Sequence, residues 1–170
     1  NIFLATGSSW RKDGVGRSRG KPVQGLESLQ VLTPEEAIKQ SPNLSGPIVV
    51  YDDEQGYLAG VIADHLSFDE HEVIFITPAS VVSPWTESTL EQKRIQKALL
   101  VSGVNVICNK TIDKAEGSSL NLKCVFTGEI SLLKCSSLVM VTERIPNTTL
   151  YDQLVEQENN TEQGVAKHIQ

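Results

Sequence analysis

The chain has 170 residues, 18.6 kDa, a net charge of −6 and a pI near 5.1. Its 39% hydrophobic and 21% charged residues are ordinary globular values, which excludes wholesale disorder. No apolar run approaches the ~20 residues of a membrane-spanning helix, and three cysteines without a CxxC pair (Cys108, Cys124, Cys135) exclude a disulfide framework, a zinc site or an iron–sulfur cluster in this stretch.

Asn1–Thr6 (NIFLAT) reads as a short buried strand ending at Gly7. Residues 8–31 are rich in Gly, Ser, Arg and Pro and read as a long loop. Thr33-Pro34-Glu35-Glu36 starts a helix, with Thr as N-cap, Pro in the first turn and Glu three residues after the cap. Ser41-Pro42-Asn43 stops it. Ile48–Tyr51 is a fully buried strand, Gly56–Phe68 a helix, and Glu72–Thr77 a second buried strand. Thr86–Ser102 is the best helix, with Ser88 and Glu91 as its capping box and Gly103 at its end. Val104–Cys108 is a third strand. Leu120–Phe126 and Ile130–Leu133 pair antiparallel around Thr127-Gly128. Leu138–Thr142 is a returning strand and Leu150–Val155 a last helical turn or two, followed by a polar linker.

Strand, helix, strand, helix, strand predicts an α/β fold: a Rossmann-like βαβαβ three-layer domain of the FAD/NAD(P)-binding type, with a β-meander. Such a unit binds a dinucleotide through glycines between its first strand and first helix. Here that turn is Asp52-Asp53-Glu54-Gln55-Gly56-Tyr57-Leu58-Ala59-Gly60, so G-x-G-x-x-G is absent. Three carboxylates stand where a diphosphate would lie. The second strand ends Thr77-Pro78-Ala79-Ser80, with no acid for a ribose and no Arg for a 2′-phosphate. These two absences predict a unit that no longer binds its nucleotide, with Gly56 and Gly60 kept for close helix–sheet packing.

Charge is uneven along the chain. Residues 1–21 hold Arg11, Lys12, Arg17, Arg19 and Lys21 against Asp13, while residues 51–72 hold seven acids and no Lys or Arg. The bland expectation is two solvated surfaces; the sharper one is a basic loop that faces an acidic neighbour or a phosphate. Without interleaved aromatics this pattern does not predict nucleic-acid binding. His65, His71 and His168 are scattered, and no nucleophile–base pair can be read from spacing. Trp85 is expected to pack at a helix start. Nothing near Asn1 joins a basic stretch to an apolar core, so no signal peptide and a cytoplasmic setting are expected.

Several stretches taken in order resemble one family: Ala5-Thr6-Gly7-Ser8-Ser9-Trp10-Arg11-Lys12-Asp13-Gly14, Val31-Leu32-Thr33-Pro34-Glu35, Val49-Val50-Tyr51-Asp52-Asp53 with Tyr57-Leu58-Ala59-Gly60, Ser83-Pro84-Trp85-Thr86 and Val139-Met140-Val141-Thr142. They resemble the C-terminal part of the trimethylamine, dimethylamine and histamine dehydrogenases, flavoproteins of the NADH:flavin oxidoreductase (old yellow enzyme-like) superfamily. The resemblance implies an amine-oxidising enzyme with FMN, a 4Fe–4S cluster and ADP elsewhere in a longer protein, and an electron-transfer flavoprotein as acceptor. It implies that residues 1–40 end an FAD/ADP-binding-like half-domain, 41–150 form an inserted NAD(P)-binding-like domain, and 151–170 link back to the first. Ala5, Thr6 and Gly7 would then lie near the adenine nucleotide. No catalytic residue, metal ligand or cofactor of its own is expected in this part. Its partner would be the rest of its own polypeptide, and a homo-oligomer is compatible. The alternative is a working NAD(P)H-binding domain of a dienoyl-CoA reductase-like flavin enzyme, and a third reading is a free-standing interaction module using the Arg11–Lys21 loop.

Overall fold

The computed structural model describes residues 3–44 and 46–160, so His168 lies outside the described residues. The elements are β1 (Ser8–Trp10), β2 (Gln30–Leu32), α1 (Pro34–Gln40), β3 (Ile48–Asp52), α2 (Leu58–Phe68), β4 (Val73–Ile76), α3 (Gln92–Val101), β5 (Asn105–Ile107), β6 (Lys110–Glu116), β7 (Ser119–Cys124), β8 (Ile130–Lys134), β9 (Ser137–Val141), β10 (Arg144–Pro146) and α4 (Thr149–Asn160). They divide into a compact unit, Trp10–Glu143, and a smaller one made of the two flanking segments.

In the larger unit five parallel strands run in the order β2-β9-β3-β4-β5. β6, β7 and β8 form a separate antiparallel meander. Ile48 and Val50 of β3 face a helical layer built from Ala37, Ile62, Leu66 and Leu99. Val49 and Tyr51 face the meander, where Ile112, Leu120 and Leu122 close the other side. The sheet is therefore the middle of three layers. That is why β3, β4 and β9 read as unbroken apolar runs rather than alternating ones. The βαβαβ and meander expectation holds.

The α1 start is built as predicted. Glu36 N–H donates to Thr33 Oγ1 at 3.2 Å, and Thr33 N–H donates to Glu36 Oε2 at 2.8 Å.

Several local expectations are corrected. Residues 3–7 are not a strand: among the described residues no strand pairs with them, and Phe3 is 88% exposed. The Ser88–Glu91 capping box does not form. A 3₁₀ turn at Pro84–Thr86 and a left-handed Leu90 (φ 63°) come first, and α3 starts only at Gln92, after Glu91 N–H has bonded to Thr86 O at 3.0 Å. Gly60 serves helix–helix rather than helix–sheet packing: a Cβ there would lie 2.5 Å from Ile95 Cγ2 of α3. The helix expected at Leu150–Val155 runs on to Asn160.

In the smaller unit Asn147 clamps the chain before β1. Thr6 Oγ1 donates to Asn147 O at 2.6 Å, Asn147 Nδ2 donates to Thr6 O at 2.9 Å, and Asn147 N–H donates to Gly7 O at 2.9 Å. Ala5, Thr6 and Gly7 are exposed there.

Candidate functional site

The order of the parallel sheet places a topological switch point at β3. The chain leaves β3 through α2 to β4 on one side, while β9 lies on the other. Ligands of open α/β sheets bind outside the carboxyl ends of the strands at such a point. The residues there are Asp52, Asp53, Glu54 and Gln55 after β3 and Thr142 after β9.

The crevice is filled by the protein's own basic loop. Ser18 N–H donates to Asp53 Oδ2 at 2.8 Å and Ser18 Oγ donates to Asp53 Oδ1 at 2.6 Å, so both carboxylate oxygens are taken. Gly16 lies so close that a Cβ would stand 2.5 Å from Asp53 Oδ2 and 3.2 Å from Thr142 Cβ. The loop is a built turn: Gly16 N–H donates to Arg19 O at 2.9 Å, and Val23 N–H donates to Asp13 O at 2.8 Å. Arg19 fixes its far end through bonds to Lys21 O, Pro22 O and Ile112 O. Arg17 lies 4.7 Å from the centre of the Trp85 ring. Trp85 is thus a half-exposed platform for a cation and not the packing residue expected from sequence. The sharper reading of the charge pattern holds, because the basic loop does face the acidic turn.

Asp52 and Asp53 are fully buried, not solvated. Asp52 Oδ1 accepts from Gln55 N–H at 2.7 Å, and Asp52 Oδ2 has no partner among the described residues. Burial, chiefly, pushes its carboxyl up to about 7. Burial raises Asp53 as well, against the two Ser18 bonds and the Arg17 charge that hold it down. The Tyr51 phenol beneath them is raised by burial and then by Asp53, and its hydroxyl lies 2.9 Å from Thr111 Oγ1. Ser83 Oγ and Thr142 Oγ1 are also buried without a partner among the described residues.

The switch point is where a nicotinamide dinucleotide lies in open α/β folds of this kind. Its diphosphate needs backbone N–H groups and open space at the start of α2. The groups at that place are the buried Asp52 and Asp53 carboxyls and the Gly16–Ser18 backbone.

The predicted residues thus behave differently. Asp52, Asp53 and Glu54 are brought to one place, as expected for the turn after β3. Ala5, Thr6 and Gly7 belong to the smaller unit, where Thr6 and Gly7 bond to Asn147. His65 is exposed on α2, and His71 bonds through Nε2 to Ser41 O at 2.7 Å, which makes it a turn residue. Ser18 was missed. No local pattern marks it, and only the opposite charges of the two segments pointed to their meeting. Among the described residues no group of three His, Cys, Asp or Glu side chains is placed to hold a metal ion, and no helix is long and apolar enough to cross a membrane.

Solved structures carry the same fold with sequence similarity. Histamine dehydrogenase from Rhizobium sp. 4-9 superposes with a TM-score of 0.86 at 34% identity, over 92% of this chain. The 6-hydroxypseudooxynicotine amine oxidase HisD from Pseudomonas geniculata N1 gives 0.82 at 30% identity, also over 92%. The chain corresponds to a segment of an amine dehydrogenase-type flavoprotein. It spans about a quarter of those proteins, 24% and 23% of their lengths. Thioredoxin reductase from T. acidophilum, at TM-score 0.63 and 15% identity, shares the fold alone. No family model and no curated protein matches the sequence.

Proposed function

We propose that this chain is the NAD(P)-domain-like module of a flavin-dependent amine dehydrogenase or oxidase, and that its dinucleotide crevice is closed by its own loop. The observation that carries the reading is the Ser18–Asp53 pair, which puts protein backbone where a diphosphate would lie. The module's role is then structural. It supports the adenine-nucleotide-binding part of the same polypeptide through the two segments that flank Trp10–Glu143, with Ala5, Thr6 and Gly7 nearest that nucleotide. FMN, a 4Fe–4S cluster and ADP belong to the longer enzyme, which works in the cytoplasm and passes electrons to an electron-transfer flavoprotein. The amine chemistry takes place outside this chain.

Calorimetric titration with NADH and NADPH tests the closed crevice. The expected result is no heat of binding up to about 1 mM, where even a weak site of −4 kcal/mol would register. Micromolar binding of either nucleotide overturns the reading and favours a working NAD(P)H domain.

A further inference from the structure

Beyond the closed crevice a cavity of about 470 Å³ remains in the larger unit, between the basic loop, the turn after β3, the end of β4 and the meander. That size is within the range of small-ligand pockets. Its lining brings together charges that no local sequence pattern connects, Arg19 from the loop, Lys123 from β7 and Asp113 from β6, together with Thr111 and Gln55. Neither Arg19 nor Lys123 has a carboxylate within ion-pair distance among the described residues. Arg19 donates only to the neutral carbonyls of Lys21, Pro22 and Ile112, so its bonds fix the guanidinium while leaving its charge uncancelled. Its position is set without a ligand, which lowers the ordering cost of binding one.

We propose that this cavity binds a small phosphomonoester with a hydroxyl-bearing body, its phosphate held by Arg19 and Lys123 and its hydroxyls by Asp113, Thr111 and Gln55. Two fixed or nearby cations facing a dianion make charge-assisted hydrogen bonds, the strong class of polar contact. Asp113 sets the selectivity. A carboxylate repels a bare anion but accepts from a hydroxyl, so the organic part of the ligand must face it. The site does not depend on nicotinamide recognition, because its cations come from the loop and the meander and not from the turns after β3 and β4.

Cys124 lines the same cavity and supplies the readout. Hydrogen bonds from the Thr127 hydroxyl, then from the Thr127 and Phe126 N–H groups, bring its thiol down to about 7. Burial raises the Cys108 thiol and pushes Cys135 up to about 12, so alkylation at neutral pH selects Cys124. The experiment measures the iodoacetamide alkylation rate of Cys124 by peptide mapping, with AMP or glucose 1-phosphate added, and checks affinity by calorimetry.

The expected result is saturable protection by at least one ester with Kd below about 1 mM, none by adenosine or glucose, and weakening by about tenfold or more in Lys123→Gln, from loss of one charge-assisted bond. Arg19→Gln should weaken binding too, but it also removes loop bonds. Exposed Lys123, with no hydrogen-bond or ion-pair partner of its own among the described residues, is the decisive variant. No saturable protection by either ester, equal protection by the unphosphorylated bodies, or an unchanged Kd in Lys123→Gln overturns the proposal. NADH binding that Lys123→Gln leaves intact would instead overturn the closed-crevice reading and leave this one standing.

Discussion

Replacing Asp52 by Asn should change how the stability of the protein depends on pH. Asp52 is fully buried, with one oxygen bonded to Gln55 N–H and the other without a partner among the described residues. Its carboxyl is raised from 3.8 to about 7. Each unit is worth 1.36 kcal/mol, so the shift corresponds to at most about 4 kcal/mol. The sign follows from who holds the proton. Between the unfolded value near 3.8 and the folded value near 7, the folded protein keeps the proton and the unfolded chain has lost it. Stability is therefore complete below the lower value, falls as pH rises through the window, and levels off above the upper one. Asn carries no such titration. Urea unfolding followed by circular dichroism, at steps from pH 4 to pH 8, should show the Asn variant gaining about 2–4 kcal/mol on the parent across that range. Asp53 is raised as well and keeps some slope in both proteins, so the difference between the curves is the quantity to read. A constant difference from pH 4 to pH 8 would refute the reasoning, because Asp52 would then be ionised in the folded state throughout.

Three further predictions rest on packing and helix capping. Gly16→Ala puts a methyl 2.5 Å from Asp53 Oδ2 and should cost about 1–3 kcal/mol. Faster trypsin cleavage after Arg17 and Arg19 would report the loop leaving the crevice. Gly60→Ala should destabilise although Ala is the better helix former by about 1 kcal/mol, since its methyl meets Ile95 Cγ2 at 2.5 Å; in thermal unfolding its cost should shrink in an Ile95→Ala background, which lacks that Cγ2. Thr33→Ala removes the N-cap of α1 and should cost about 1 kcal/mol by urea denaturation.

The layered fold was legible because strands buried on both faces leave continuous apolar runs, as in Ile48–Tyr51 and Leu138–Val141. What escaped has physical reasons. β6 lacks the two-residue alternation of a half-buried strand. A bulge between Ile112 and Lys114 resets the pleat, so the buried residues Ile112 and Ala115 fall three apart. β2 is three residues long at the sheet edge and sits inside a stretch whose composition says loop. Leu90 adopts a left-handed conformation that no propensity rule assigns to leucine, and that displaced the start of α3. The candidate site was half visible. The missing glycines and the acidic turn could be read directly, and the uneven charge suggested a partner for the basic loop. That Ser18, 35 residues from Asp53, would be the contact is a tertiary fact with no local signature.

On the proposed reading, the loop over Asp53 also sets the terms on which a dinucleotide could bind. Restoring glycines at 52–60 would leave the Gly16–Ser18 backbone in the way. Removing the loop alone would leave buried carboxylates facing a diphosphate. Each change by itself is neutral or harmful to nucleotide binding, and only the two together open a path. The two segments are therefore expected to be strongly non-additive. On that reading the pairing works as a ratchet: no single substitution in either segment opens the crevice to a cofactor.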